Sequence, residues 1–242
     1  MLVFIFQQCL KTLALPIYVL ALFGLWDPIC KRLFPFIMKN FSRVYNKTMH
    51  REKETLFKNM KDFADTSGKL RLLEIGVGTG TNFQFYPPNS HVTCIDYNPN
   101  FKNILLGSMA QNTHLQFEDF VVASAENMSS VSDNSVDVVV ATLLLCSVDS
   151  PQAALKEILR VLRPGGAYLF MEHVAAGKST WISFWQQVCN PTWRCVADGC
   201  TLLREPWKDL EKTGFSKLNW QHTTGPLILG VVRPNIYGYA VK

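Results

Sequence analysis

The chain has 242 residues, 48% of them hydrophobic by type, and a formal net charge of +5 at pH 7. That length allows one sizeable domain with or without an appendage. Seven cysteines in no CxxC or Cys/His ligand spacing argue against a disulfide framework or a metal site, and suit reduced, buried thiols. The charge is uneven, with twelve Lys or Arg against five Asp or Glu in residues 1–71, and twelve against fourteen in residues 72–242. A basic, apolar N-terminal third fits an anionic membrane surface, at roughly 1 kcal/mol per basic residue. The body carries no basic run or nucleic-acid motif, so no nucleic-acid partner is expected.

Residues 1–30 hold one acid and one base, Asp27 and Lys11, in MLVFIFQQCLKTLALPIYVLALFGLWDPIC. No basic n-region precedes this run and no small-x-small cleavage site comes after it, which is unlike a signal peptide. Gln7, Gln8 and Lys11 interrupt it, leaving Thr12 to Trp26, short of the roughly 20 residues of a span. A hydrophobic anchor in one leaflet or a short hairpin is at least as compatible, and Lys31 and Arg32 place the rest of the chain on the cytosolic side. Residues 31–68 read as a basic amphipathic helical linker, with Ile37, Met38, Phe41, Val44 and Tyr45 at helical spacing. They suit either the membrane interface or packing on the domain. A second helical pattern, Leu56, Phe57, Met60 and Phe63, leads through Ser67-Gly68 to the main domain, residues 69–242.

There LRLLEIG, HVTCID, LQFEDFVVA, VDVVVAT and AYLFMEH read as strands one to five. SPQAALKEILRVL is a helix ended by Pro164-Gly165-Gly166. Alternation of this kind implies an α/β fold, Rossmann-like, with a mostly parallel sheet. The tail offers a helix at EPWKDLEKTGF and two further strands, SKLNWQH and NIYGYAVK. The first strand runs into LLEIGVGTGTNF, where open α/β sheets bind ligands. Its glycines, Gly76, Gly78 and Gly80, miss the G-x-G-x-x-G spacing of a dinucleotide loop, and Glu74 is unwelcome beside pyrophosphate. A cationic nucleoside without phosphate suits the loop better. S-adenosylmethionine is one, with Glu74 near its ammonium directly or through water, Asp96 at the ribose hydroxyls and Glu126 at the adenine.

The ordered set LLEIGVGTG, CIDYNPN, SAENM, VDVVVATLLLCSV and ILRVLRPGGAYLFMEH resembles class I S-adenosylmethionine-dependent methyltransferases over residues 70–175. That resemblance implies a seven-stranded sheet with an antiparallel last strand. GLW, ICKR, NFQFYPP, TLLLCSV, MEHVAA, FWQQV, DGC and YGYAVK are further similar to the membrane-associated thiol S-methyltransferases of the methyltransferase-like protein 7 group. Val77 and Tyr97 depart from the Cys and Pro usual there. The resemblance implies methyl transfer to hydrogen sulfide and small alkyl thiols, an indispensable Asp96, and a place at the endoplasmic reticulum membrane and lipid droplet, facing the cytosol.

Such a reaction asks for position and a dry pocket more than for a strong base, since a thiol of pKa about 8.5 is partly ionised near neutrality. The acceptor pocket is expected between TLLLCSV and the insertion after strand five, with Cys146 lining it and Trp181, Phe184, Trp185 and Trp193 as an apolar lid. Cys146 as nucleophile and His173 as proton acceptor are the remaining catalytic candidates. The alternatives are a lipophilic acceptor such as a quinone, sterol or lipid, and a weakly catalytic lipid-droplet or membrane recruitment protein.

Overall fold

The structure is a computed structural model, and it describes residues 1–65, 68–226 and 230–242. Ser67 of the expected Ser67-Gly68 turn lies outside them. Helices α1 (Leu2–Leu13), α2 (Leu15–Leu22), α3 (Trp26–Thr48) and α4 (His50–Phe57) precede the sheet. Then come β1 (Arg71–Ile75), β2 (His91–Asp96), α5 (Lys102–Gln111), β3 (Gln116–Val122), β4 (Val136–Thr142), α6 (Pro151–Val161) and β5 (Leu162–His173). The tail adds α7 (Trp181–Val196), α8 (Pro206–Leu210), β6 (Lys217–Thr224) and β7 (Pro234–Val241).

The seven strands form one sheet in the order β3-β2-β1-β4-β5-β7-β6. β7 runs antiparallel to both neighbours, and the other pairings are parallel. Central β4 is apolar apart from Asp137 and the terminal Thr142, because both of its faces are covered. Asp137 is buried at the sheet's far end from the glycine loop, where it accepts from Arg71 at 2.7 Å (backbone N–H) and from Arg163 Nε at 2.5 Å. α6 starts where the sequence places it, since Ser150 caps the Ala153 N–H and Pro151 sits at the first turn.

One local expectation needs correction. Pro164-Gly165-Gly166 does not end α6, which stops at Val161, but lies inside β5. The register jumps there from Val136↔Leu162 to Val138↔Ala167, so the three residues form a bulge. A Cβ on Gly166 would meet the Asp137 carbonyl oxygen at 2.8 Å, so glycine lets the strands approach. The glycine loop opens no α-helix: only a 3-10 turn, Phe83–Phe85, precedes Pro87-Pro88. α3 and α4 cover that face instead, packing Tyr45, Met49, Leu56 and Phe57 onto Phe83, Tyr86, Leu72 and Val92.

The N-terminal helices lie on the domain. Phe6 meets Phe184 and Trp185 edge-on at 6.0 and 5.7 Å, and Trp26 Nε1 donates to the Cys195 carbonyl at 2.7 Å. α3 runs unbroken through Cys30, Lys31 and Pro35. No single helix among the described residues is long and apolar enough to cross a membrane. α1 and α2 together reach that length and composition, but they are bent by 74°.

Candidate active site

Two cavities open at the C-terminal ends of β1, β2 and β4, where this topology places ligands. The larger, about 380 Å³, is lined by Gly76, Val77, Gly78, Thr142, Leu143, Cys146, His173 and Cys200, with α3 as its wall. The smaller, about 280 Å³, is lined by Ile95, Ala123, Ser124, Ala125, Glu126, Val148 and Asp149. Gly76, Asp96, Tyr97, Leu144, Ser147 and Asp198 belong to both, so the cavities meet at the end of β2.

Asp96 is fixed at that junction. Its Oδ2 accepts the Gly78 N–H at 2.9 Å and its Oδ1 the Asn98 N–H at 2.9 Å. Burial pushes its carboxyl up to about 6, against the pull of those two bonds. Each oxygen keeps a lone pair for a further donor. Gly76 and Gly78 hold positive φ, 64° and 53°, and a Cβ on Gly76 would meet Leu144 Cδ1 at 2.9 Å. Glu126 lines the smaller cavity and accepts the Ser150 N–H at 2.5 Å through Oε1. Tyr97 stands at the junction, half exposed, with Lys31 Nζ 5.3 Å from its ring centre. Val77 is a buried wall residue.

Glu74 and Gly80 do not line either cavity. Both Glu74 oxygens are taken, Oε1 by Asn82 Nδ2 at 2.8 Å and Oε2 by the Tyr86 hydroxyl at 2.7 Å. A direct ammonium contact is therefore not what the side chain makes. Gly80 is a turn residue at φ 70°, where a Cβ would meet Phe83 Cε2 at 2.5 Å.

Behind Glu74 lies a residue that no sequence motif marks. Lys53, 1% exposed, lines the larger cavity and donates to Asn46 Oδ1 at 2.5 Å and Asn82 Oδ1 at 2.7 Å. Burial pushes Lys53 down to about 7, opposed by Glu74, and pushes Glu74 up to about 7, opposed by Tyr86, Asn82 and Lys53. The signal for Lys53 is its spacing, since Tyr45, Met49, Lys53 and Phe57 share one helical face that is otherwise apolar.

The lid also differs. Trp181, Phe184 and Trp185 pack on one another, and Phe184 and Trp185 on Phe6, away from the cavity. Phe184 and Trp185 hold α1 rather than substrate. Of that insertion, Trp193, Val196 and Ala197 reach the cavity, and the wall is α3 with Phe34, Ile37, Met38, Phe41 and Tyr45. Three bonds fix α3 over the glycine loop and the strand ends. Asn46 Nδ2 donates to the Thr81 carbonyl at 2.7 Å, Thr79 Oγ1 to Ser42 Oγ at 3.3 Å and Tyr45 OH to Asn235 Oδ1 at 2.7 Å.

Cys146 and His173 do come together. After β4, Leu143 adopts φ 57°, uncommon for leucine, and the turn carries Cys146 into the cavity. His173, the last residue of β5, has Nε2 at 2.9 Å from Cys200 Sγ, and Trp193 Nε1 donates to the same sulfur at 3.2 Å. Cys200 is a site residue that the sequence does not single out.

Residues 73–170 match the family model described as a methyltransferase domain. Thiol S-methyltransferase TMT1A of Homo sapiens is 59% identical over 90% of this chain and 90% of its own length. Thiol S-methyltransferase TMT1B of Homo sapiens is 50% identical over 98% of this chain and 97% of its own length. The chain belongs to the thiol S-methyltransferase family. Its fold is the class I methyltransferase fold. An S-adenosylmethionine-dependent methyltransferase of Thermotoga maritima, 16% identical, superposes with a TM-score of 0.57 over 87% of this chain and 98% of that one. The junction fits this cofactor: Asp96 offers free lone pairs between the smaller, more polar cavity beside Glu126 and the larger, more apolar one, and Gly76 and Gly78 let a ligand approach the backbone.

Proposed function

We propose that this chain transfers the methyl group of S-adenosylmethionine to the sulfur of hydrogen sulfide or small alkyl thiols, working from a membrane surface. The observation that carries this reading is the pair of cavities joined at Asp96. Adenosine occupies the smaller, with Asp96 accepting from the ribose hydroxyls and Glu126 at the adenine end. The methionine end lies along Gly76 and Gly78, its carboxylate towards Lys53. Glu74 acts one layer back, tuning Lys53 and holding Asn82.

The remaining volume of the larger cavity, between the methyl group and α3, receives the thiol. Displacement at a sulfonium carbon needs the acceptor sulfur in line, about 3–3.5 Å from the methyl group. Phe34, Met38, Phe41 and Trp193 exclude water from that space. A thiolate and a sulfonium lose their charges as they react, so a dry cavity lowers the barrier. Incubating purified protein with labelled cofactor and, in parallel, an alkyl thiol and a quinone tests this reading. Methylated thiol is expected, and label only in the quinone would overturn it.

The membrane surface rests on exposed apolar side chains. Leu13 and Leu22 are each 81% exposed and Phe23 71%, and Leu25 in the next linker and Leu33 and Phe36 on α3 are exposed as well. Burying such residues in a leaflet contributes about 1.5–3 kcal/mol each. Ile37 is both exposed and part of the cavity wall, so apolar thiols reach the site from that side. The endoplasmic reticulum membrane or a lipid droplet, on its cytosolic side, provides such a surface. Replacing Leu13, Leu22 and Phe23 together by Gln is expected to abolish co-flotation with lipid vesicles, and unchanged flotation would remove the anchor from the account.

A further inference from the structure

At the acceptor end of the larger cavity, three potential metal ligands converge from three separate elements. Cys146 follows β4, His173 ends β5 and Cys200 follows the Asp198-Gly199 turn after α7. One ligand atom of each lies within 4.8 Å of the other two, all three residues are buried, and all three line the cavity. Two sulfurs and one imidazole nitrogen disfavour magnesium and calcium and suit zinc. Three protein ligands with a fourth direction open to substrate is the arrangement of catalytic zinc, and a Cys2His set is among those used.

We infer that Cys146, His173 and Cys200 bind a zinc ion whose fourth ligand is the sulfur of the acceptor thiol. The approach needed is small. Tetrahedral zinc, with Zn–N about 2.0–2.1 Å and Zn–S about 2.3 Å, separates its nitrogen and sulfur ligands by roughly 3.5 Å. His173 Nε2 and Cys200 Sγ stand 2.9 Å apart, so the two side chains part by roughly 0.6 Å to admit the ion. Trp193 Nε1, which donates to Cys200 Sγ at 3.2 Å, serves as an outer-shell donor to a coordinating thiolate.

The metal supplies a direct means of ionising the thiol inside the cavity. Cys146 and Cys200 bind as thiolates and release their protons to solvent when the metal enters. An incoming RSH coordinates the zinc and gives its proton to bulk water, because a coordinating thiol is deprotonated. A sulfur lone pair then forms the new S–C bond to the methyl group. The C–S bond of the sulfonium breaks, its electron pair staying on that sulfur, which leaves neutral S-adenosylhomocysteine. The product thioether is uncharged, binds zinc weakly and leaves. No oxidant or reductant takes part. The same chemistry selects sulfur over oxygen, since thiols are far softer and more acidic ligands than alcohols.

Metal binding itself stands apart from the proposed thiol methylation, whereas thiol coordination rests on that reading. The test uses the full chain, kept reduced with a phosphine. Zinc content is measured by mass spectrometry, and the apo-protein is titrated with Zn²⁺ against a chromophoric chelator, then with Co²⁺. One zinc per chain and sulfur-to-cobalt charge-transfer absorption are expected. Cys200→Ala should weaken zinc binding by about 100-fold or more while S-adenosylhomocysteine binding shows that the fold survives. Cys189→Ser, on α7 outside the cluster, serves as the control. An alkyl thiol, but not the matching alcohol, should shift the cobalt spectrum. Substoichiometric zinc, or affinity equal in Cys200→Ala and parent, overturns the site. A cobalt spectrum blind to thiol overturns the role assigned to it. Stoichiometric zinc with no methyl transfer to any thiol would leave the site standing and overturn the thiol reading instead.

Discussion

Lys53→Met separates what the buried lysine costs the fold from what it contributes to the ligand. Lys53 is 1% exposed and burial holds it at about 7 instead of its ordinary 10.5. At about 1.4 kcal/mol per tenfold change in proton affinity, that corresponds to on the order of 4 kcal/mol of destabilisation at pH 7. Methionine removes this cost and keeps much of the side-chain volume. It also strips donors from Asn46 Oδ1 and Asn82 Oδ1, at about 1–3 kcal/mol each. The two contributions oppose each other, so the variant's melting temperature at pH 7 is expected within a few degrees of the parent's. The pH dependence has a definite sign. Lys53 is depressed in the folded state, so its stabilising contribution is complete above about 10.5 and disappears as pH falls through about 7. The parent should therefore gain on the variant by several kcal/mol between pH 7 and pH 10. Losing the partner proposed for the methionine carboxylate should meanwhile cost about 1.5–3 kcal/mol of affinity, or roughly 10- to 150-fold. Urea unfolding at a series of pH values reads the first effect, and calorimetric titration with S-adenosylhomocysteine reads the second. A stability gap that does not change from pH 7 to pH 10, together with an affinity within twofold of the parent, would refute both roles.

Three further changes probe neighbouring parts of the site. Asp96→Ala should lower S-adenosylhomocysteine affinity by about 100-fold or more, through loss of two charge-assisted acceptors and of the Gly78 and Asn98 anchors. In the parent, affinity should fall as pH drops through about 6, where burial has placed this carboxyl, and calorimetry over pH 5 to 8 checks both points. Gly80→Ala forces a Cβ to 2.5 Å from Phe83 at φ 70°, whereas at Gly78, φ 53°, the nearest atom would be 3.7 Å away. The first should cost about 2–3 kcal/mol and the second about 1, read as melting temperatures lowered by roughly 5–10 °C and 2–4 °C. Phe41→Ala removes part of the α3 wall and should raise KM for an apolar alkyl thiol about tenfold. Its KM for hydrogen sulfide, too small to reach that wall, and its S-adenosylhomocysteine affinity should stay within twofold.

Much of this arrangement is legible in the sequence where the signal is local. Each strand is an apolar run bounded by turn residues, and the glycine loop, Asp96 and Glu126 come at the successive strand ends where an α/β sheet must bring them together. Orientation and long-range meeting were not legible. An aromatic run such as Trp181, Phe184 and Trp185 fits a pocket lid as well as a seat for another helix, and only packing shows that Phe6 occupies it. Cys200 carries no spacing signal because its neighbours Cys146 and His173 arrive from other elements. α3 shows its apolar face plainly, but the sequence does not say whether that face meets a membrane or a cavity. In the structure Phe34, Phe41 and Tyr45 line the cavity, while Leu33 and Phe36 face outward.

The same replacement of one element by another explains the charge that first set this loop apart. In a dinucleotide site a helix begins behind the glycines and its N-terminus meets the ligand's anion. Here Pro87-Pro88 leave room only for the Phe83–Phe85 turn, so no α-helix begins directly behind the glycines. The anionic end of an amino-acid ligand then needs a positive charge from elsewhere, and α4, packed into the place of the missing helix, brings Lys53. A lone buried ammonium would lose its proton, so a carboxylate in reach must hold it. Glu74 does this through Asn82, which gives its amide hydrogen to Glu74 and its carbonyl oxygen to Lys53. Removing Glu74's charge alone should thus depress Lys53 further below 7 and weaken S-adenosylhomocysteine binding, although Glu74 touches neither cavity. In Glu74→Gln the loss should be relieved as pH falls below 7 and Lys53 is protonated again. A loss that grows on acidification would place Glu74 against the ligand itself.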